Sequence, residues 1–416
     1  MALRIVVVGG GASGLAAAIA AARSPAQVTL LERGHGLGRK VLASGGGRCN
    51  LGHGRVGPER YHGAQPAFVR EALARFKSER FFSELGLLTA TGPDGRIFPR
   101  CGKSHAVLDV LKAEIERLGV AVRLGVEAAA IGREAGGFRL KTLRIPFRKD
   151  ETPEPGEELR CDRVILACGG ASYPQLGGGE GGYALAKSLG HTVTTLSPAL
   201  VPLLVKDGWV KRLHGLRLEA GLRLWAGPQE LCRSRGELLC TDYGLSGPAA
   251  LDVSRDAVRA RAAGPVTASI DLFPEFTPQG LRALVAGRWA GRADWPLKDF
   301  FLGMFPAQLS GAVIDSLGWE AGRPLDSLGH DAPERLAGRL QDWRCEVCGS
   351  RGWSEAMVTA GGVSADEVDP RGLASRKAAG LHLAGELLDV DGDSGGFNLH
   401  FAWASGLAAG WAAAAR

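Results

Sequence analysis

The chain has 416 residues, too many for one ordinary core, and its 45% hydrophobic and 23% charged content is that of a globular protein of two or three domains. No apolar run approaches the ~18 residues of a membrane span, and the opening MALRIVVVGGG lacks a signal peptide's long apolar region and cleavage site, so the protein is read as cytoplasmic with no membrane partner. A net charge of +6, from 50 basic and 44 acidic residues, is mild for a nucleic-acid binder but leaves room for an anionic partner or a phosphate-bearing cofactor.

In chain order, Arg4–Val8 reads as a short strand, GGGASGLAAAIAAARS as an Ala-rich helix, and Val28–Leu31 as a second strand ending at Glu32. This is a β-turn-α-β unit of about thirty residues carrying Gly9-x-Gly11-x-x-Gly14, with an acid 18 positions beyond Gly14. Each part has a physical task. Gly9 makes the tight turn, Gly11 lets backbone approach a pyrophosphate, and Gly14 allows close helix–strand packing. The helix N-terminus offers amides and partial positive charge to phosphates. Glu32 accepts from ribose hydroxyls, and its charge repels a 2′-phosphate. The pattern predicts dinucleotide binding.

SGGGRCN (44–50) then places three bare glycines beside Arg48, Cys49 and Asn50. Residues 66–90 and 104–118 show helical spacing, VAVRLGVEAAAI reads as a strand, and 146–160 as a charged surface turn at a hairpin tip. Arg163–Ala167 is a buried-type strand leading into CGGAS. Gly177-x-Gly179-x-x-Gly182 mimics a second fingerprint, but it lies some ten residues past its strand and no acid-ended βαβ unit follows. We expect a flexible substrate-side loop there. Any NAD(P)H therefore visits transiently, or the electrons come from elsewhere.

After about residue 192 short strands alternate with turns. From Thr277 to about Leu340 the pattern is helical. From 352 strands ending in glycine return, closed by the Ala-rich HFAWASGLAAGWAAAA. The expected organisation is a discontinuous α/β domain, 1–191 and 352–416, interrupted by a β domain (192–276, with a return strand at 343–351) and a helical insert (277–342). Eight scattered cysteines suggest no disulfide framework. Cys345 and Cys348 form a lone CxxC in a strand, where positions i and i+3 face opposite ways, so a metal site is not expected.

GGGASGLAAA, GRKVLASGGGRCN, GPDGRIFPRCGKSHAVLDVL, VILACGGASYPQLGGGEGGYALAKSLGH, GELLCTDYGLSGPA and the closing VTAGGV…GLHLAGELLDVDGDSGGFNLHFAWASG together resemble the HI0933-like family of flavoproteins, a branch of the glutathione-reductase-type FAD-binding superfamily. The resemblance runs nearly end to end. It implies FAD, a Rossmann-like FAD-binding domain, an inserted β-barrel-like domain and a small helical insert. It places Gly9, Gly11, Ala12, Ser13, Gly14, Glu32 and Arg33 on the ADP half of FAD. Arg39, Lys40, Ser44, Gly45, Gly46, Arg48 and Asn50 would lie along the pyrophosphate and flavin ring. Val126 would meet adenine through its backbone. Gly169 and the Gly385-Glu386 element would approach the cofactor's middle. Gly395, Gly396, Phe397 and Asn398 would open the last helix toward the flavin, where a helix N-terminus stabilises an anionic reduced ring. One departure stands out: where the family often has a Ser/Thr-bearing turn after SYP, this chain has QLGGGEGG.

Flavin carries hydride chemistry at N5, and the protein supplies position and protons. Candidate donors are Cys49, whose thiol follows a cation, and Tyr243, with Asp242, Tyr173 and His400 behind them; Arg96 and Arg100 are candidates to fix a carbonyl or anion. The leading expectation is an FAD-dependent oxidoreductase that reduces an activated C=C bond of a small molecule with NAD(P)H, or runs the reverse desaturation. The alternatives are reduction of an unpaired uracil to dihydrouracil in ribosomal RNA, a flavin amine oxidase passing electrons to oxygen, and a non-enzymatic FAD-binding protein. The insertion carries no strong chemical motif and nothing that sets an oligomeric state.

Overall fold

The structure is a computed structural model that describes residues 2–148 and 150–415; Lys149, in the expected surface turn, lies outside the described residues. The chain divides into two compact units, one running to Pro198 and resuming at Trp353, the other Ala199–Gly352. The sequence reading put the corresponding breaks at 191/192 and 351/352.

In the first unit β1 (Leu3–Val8), α1 (Ala12–Ala22) and β2 (Ala26–Glu32) follow the expected order. Within β1, Ile5–Val8 is a continuous apolar run because the strand is paired on both edges and covered on both faces there; Ile5 and Val7 are wholly buried. Two helices, Pro66–Leu73 and Ser78–Glu84, occupy the first helical stretch, after the short β3 (Tyr61–Gly63). A third spans Ser104–Arg117. VAVRLGVEAAAI is two strands rather than one. β4 (Ala121–Leu124) joins the parallel sheet, Gly125 turns at φ +66°, and Val126–Glu134 starts an antiparallel sheet with Gly137–Arg144. The turn expected over 146–160 is shorter than that: Glu154–Cys161 pairs with Gly137–Arg144 as a third strand, its exposed charges facing solvent on a sheet edge. β5 (Arg163–Leu166) then pairs with β1.

The second unit contains a closed antiparallel barrel. Its strands are β6 (Leu203–Val205), β7 (Arg217–Ala226), β8 (Gln229–Cys240), β9 (Gly244–Ser246), β10 (Val266–Asp271) and β11 (Trp343–Ser350), in the order β6-β9-β8-β7-β10-β11. A 16-residue helix, α2 (Pro248–Ala263), was missed by the sequence reading, which saw only strands here. Pro248 in its first turn and the small Ala249, Ala250 and Ala257 on its buried face make it. The helical insert is not a separate body. Leu281, Val285, Phe300, Val313 and Leu336 share one core with Leu222, Ile270 and Trp343 of the barrel. Cys345 is buried and Cys348 exposed, as alternation along β11 requires.

The first unit closes with β12 (Leu381–Leu383), β13 (Val390–Gly392) and α3 (Phe397–Ala414). β12 completes a parallel sheet ordered β12-β5-β1-β2-β4, and β13 pairs with β3. α1 and α3 pack backbone to backbone: a Cβ on Gly406 or Gly410 would collide with the carbonyls of Ser13 or Ala17. That contact fixes α3, and hence the glycine turn at its start, against the first nucleotide-type turn.

Candidate FAD site

The first turn is built on backbone contacts. Gly9, at φ +111°, donates its amide to the Leu31 carbonyl (2.8 Å), and a Cβ on Gly14 would strike the Gly9 carbonyl. Gly11, the N-cap of α1, makes no side-chain cap, and nothing lies within 4 Å of where its Cβ would be. The first turn of α1, Ala12 to Gly14, is therefore open to an anion. Glu32 is held rigidly: its Oε2 accepts from the Gly10 amide (2.7 Å) and its Oε1 from the Gly34 amide (2.6 Å). Each oxygen retains a lone pair for a hydroxyl.

Beside this turn runs a groove lined by Val8, Glu32, Arg33 and Val126 on one side and by Gly177, Gly179 and Gly182 on the other. The loop expected on the substrate side thus forms one wall of the groove beside the first glycine turn. Its fold is specified locally. Gly178 donates to the Tyr173 carbonyl (3.2 Å) and Gly179 to that of Gly170 (3.1 Å). Arg39 Nη2 donates to the Gln175 carbonyl (2.6 Å), and Gln175 Nε2 to the Ser354 carbonyl (2.8 Å). Glycine is required where the loop passes Cys168, whose Cβ would lie 2.5 Å from a Cβ on Gly182.

The Arg39–Gly47 helix breaks where the sequence turns to glycine. Ser44 is extended, and Gly45 and Gly46 are left-handed at φ +58° and +65°. Cys49 is also left-handed at φ +59°, a conformation that strains a side-chain-bearing residue. Its thiol is fully buried and burial pushes it up to about 12, so the neighbouring Arg48 does not activate it; that guanidinium instead lies 4.7 Å over the Phe98 ring. Asn50 points its Oδ1 inward, where it has no hydrogen-bond partner among the described residues, and a Cβ on Gly396 would come within 2.5 Å of it.

The late elements meet this segment. Glu386 Oε1 accepts from the Thr359 amide (2.8 Å) and the Ser172 hydroxyl (3.0 Å), while Lys40 Nζ lies 3.2 Å from Oε2 and donates to Ser172 Oγ (2.8 Å). Gly385 donates its amide to Ser405 Oγ of α3 (2.9 Å). Gly169, at φ +73°, has open space where a side chain would be. At the start of α3, Gly395 and Gly396 are left-handed (φ +117° and +101°) and leave the helix without a side-chain cap. Asn398 is used locally, spanning Gly392 with an accepted bond (2.8 Å) and a donated one (2.7 Å). Phe397 stacks on His53 at 4.7 Å.

Two uncapped helix starts, open space at Gly11 and Gly169, a fixed ribose-type acid and an orphaned buried acceptor on Asn50 are what an extended dinucleotide with a flat ring needs. The residues fit FAD. Sequence reasoning missed Ser172, Thr359 and Ser405, which hold the late elements through contacts 20 to 214 positions apart and carry no local signature. Tyr243 belongs to the second unit, in a turn closed by Thr241, with Arg351 4.8 Å over its ring. His400 is buried against Ser78 (3.0 Å).

The HI0933-like protein Rossmann domain matches residues 3–412. The chain belongs to the HI0933-like family. It is an FAD-dependent oxidoreductase. Among its relatives, a 3-dehydro-bile acid delta(4,6)-reductase of Clostridium scindens is 37% identical over 99% of both chains. A ribosomal RNA dihydrouridine synthase of Escherichia coli is 30% identical over 97% of this chain and 96% of its own. Among solved structures, a 3-ketosteroid-delta4-(5alpha)-dehydrogenase of Rhodococcus jostii aligns with all of this chain and 97% of its own, with TM-score 0.48 and 16% identity.

Proposed function

We propose that this HI0933-like oxidoreductase reduces an activated C=C bond of a small, largely apolar molecule conjugated to a carbonyl, or runs the reverse desaturation, with NAD(P)H as transient reductant. The observation that carries this reading, and sets it apart from reduction of uracil in ribosomal RNA, is the charge of the inserted unit. Residues 199–352 hold nineteen basic and eighteen acidic side chains. Arginines of its strands are occupied: Arg217 lies 2.7 Å from Glu237, and Arg223 donates to the Gln341 carbonyl (3.1 Å). Arg233 pairs with Glu230 (2.8 Å) and Arg344 with Asp342 (3.0 Å). A polyanion is bound by releasing counterions at unpaired cations, and this unit offers a nearly neutral surface instead. The reductase relative, of which this chain spans 99%, supports the same reading.

Bound FAD supplies the two-electron hydride chemistry. The chain's residues would hold it as follows. Gly9, Gly11, Ala12, Ser13, Gly14, Glu32, Arg33 and Val126 would take the ADP half. Arg39, Lys40, Ser44, Gly45, Gly46, Arg48, Asn50, Gly169, Gly385 and Glu386 would follow the pyrophosphate and ribityl chain. Gly395, Gly396, Phe397 and Asn398 would present the α3 N-terminus, whose partial positive charge favours negative charge on the ring. Cys49 is a neutral, buried thiol, and its place is to fill space under the strained loop.

The test is anaerobic reduction of the purified holoenzyme by NADH or NADPH, followed by a panel of cyclic enones. Stoichiometric product with a saturated bond is expected. Dihydrouridine formed in ribosomal RNA with no enone turnover would transfer the assignment to the RNA reading.

A further inference from the structure

Resting on the C=C reduction reading, the geometry points to His62, oriented by Asp393, as the side chain that exchanges the proton. Saturating the bond adds a hydride to one carbon and a proton to the other. The electrons arrive with the hydride from the NAD(P)H-reduced enzyme. The proton leaves the His62 imidazolium, which becomes neutral and is recharged from solvent.

The assignment follows from what converges on the glycine turn before α3. The Cys49 thiol is wholly buried. Tyr61 is buried and commits its hydroxyl to the Phe397 carbonyl (3.1 Å). His53 has both ring nitrogens against backbone, with Nδ1 3.0 Å from the Arg55 amide and Nε2 3.0 Å from the Asp94 carbonyl, so neither is left for a substrate. His400 is enclosed against Ser78. His62 differs from all four. Its Nε2 lies 2.8 Å from Asp393 Oδ1, its side chain is 32% exposed, and among the described residues Nδ1 has no partner.

Asp393 is placed to hold that ring. It stands two residues before Gly395, its amide donates to the Arg60 carbonyl (3.0 Å), and its carbonyl receives Asn398 Nδ2 (3.4 Å). A carboxylate on one imidazole nitrogen orients the ring and leaves the other nitrogen for a substrate. The other charges near the imidazole are Arg60, whose Nη1 lies 3.4 Å from Asp393 Oδ2, and Asp391, the register partner of His62 in the β3–β13 pair. The pair joins positions 331 apart.

The experiment mixes NADPH- or NADH-reduced holoenzyme with a cyclic enone and follows return of flavin absorbance against pH, for the wild type, His62→Gln and Asp393→Asn. Retained FAD reports that each variant folds. We expect His62→Gln to slow this step about 10²- to 10³-fold and flatten its pH profile. Asp393→Asn should slow it less, because the imidazole loses the carboxylate that orients it, and Asp393→Glu should restore most of the rate. Reoxidation of His62→Gln at the wild-type rate overturns the proposal, and reoxidation of Asp393→Asn at the wild-type rate overturns the pairing. If the wild-type enzyme itself is not reoxidised by any enone, the functional reading fails and this assignment with it.

Discussion

Lys40 Nζ lies 3.2 Å from Glu386 Oε2, joining the segment after the first βαβ unit to a turn 346 positions later. Both side chains are mostly buried, and Ser172 bonds to both, so the pair clamps these two segments together. Glu386→Gln removes the charge that Lys40 faces while keeping the shape. Hydrogen bonds to charged groups contribute about 1.5–3 kcal/mol, so the FAD dissociation constant should rise roughly 10- to 100-fold. Fluorescence titration of the apoprotein with FAD measures it; an unchanged constant would show that the clamp is structural only.

Gly14 and Gly11 separate fold from binding. A Cβ at Gly14 meets the Gly9 carbonyl, whereas one at Gly11 meets no protein atom within 4 Å. Gly14→Ala should therefore destabilise the apoprotein by about 3 kcal/mol or more. Gly11→Ala should leave apoprotein stability within about 0.5 kcal/mol of the wild type and weaken FAD, whose phosphate needs that space. Urea unfolding without FAD, paired with FAD titration, reads both.

Cys49 should be silent to alkylation. Burial holds its thiol protonated, while Cys101 and Cys348 are exposed. Native-state iodoacetamide treatment at pH 8, read by peptide mass spectrometry, should label the two exposed cysteines and spare Cys49. Cys49→Ala should retain turnover. Cys49→Gly relieves the left-handed strain, worth about 1 kcal/mol, while losing the buried side chain.

Acid should destabilise the first unit through His400. Burial, helped by the charges of Lys77 and His53, lowers its imidazole from 6.5 to about 4. Above pH 6.5 both folded and unfolded chains hold it neutral, and nothing is lost. Between about 6.5 and 4 only the unfolded chain takes the proton, so stability falls as pH falls, by about 1.4 kcal/mol per unit and about 3 kcal/mol in all. Denaturant unfolding at pH 7 and pH 4.5 should show this slope in the wild type and a shallower one in His400→Gln.

The parts legible in the sequence were those set by neighbours along the chain. The Gly9–Gly14 turn and Glu32 declare themselves because one strand, one helix and the next strand build the site within thirty residues. The glycine loop at 177–182 was visible, but its placement was not, since the Gln175 carbonyl is held by Arg39, 136 positions earlier. Cys49 invited a catalytic reading because Arg48 precedes it; burial, a property of the packed chain, decides its chemistry. His62 and Asp393 each look ordinary alone, and only the β3–β13 pairing brings them together. α2 was lost among strands because its small residues show no strong apolar stripe.

The central claim is reduction of a conjugated C=C bond in a small molecule. Its most direct measurement is the mass of the product when the FAD-loaded enzyme, NAD(P)H and a steroid-like cyclic enone are incubated without oxygen. The account predicts a product heavier by two hydrogens, with one NAD(P)H oxidised per molecule. No product with any enone, while the same preparation forms dihydrouracil in ribosomal RNA, would contradict it.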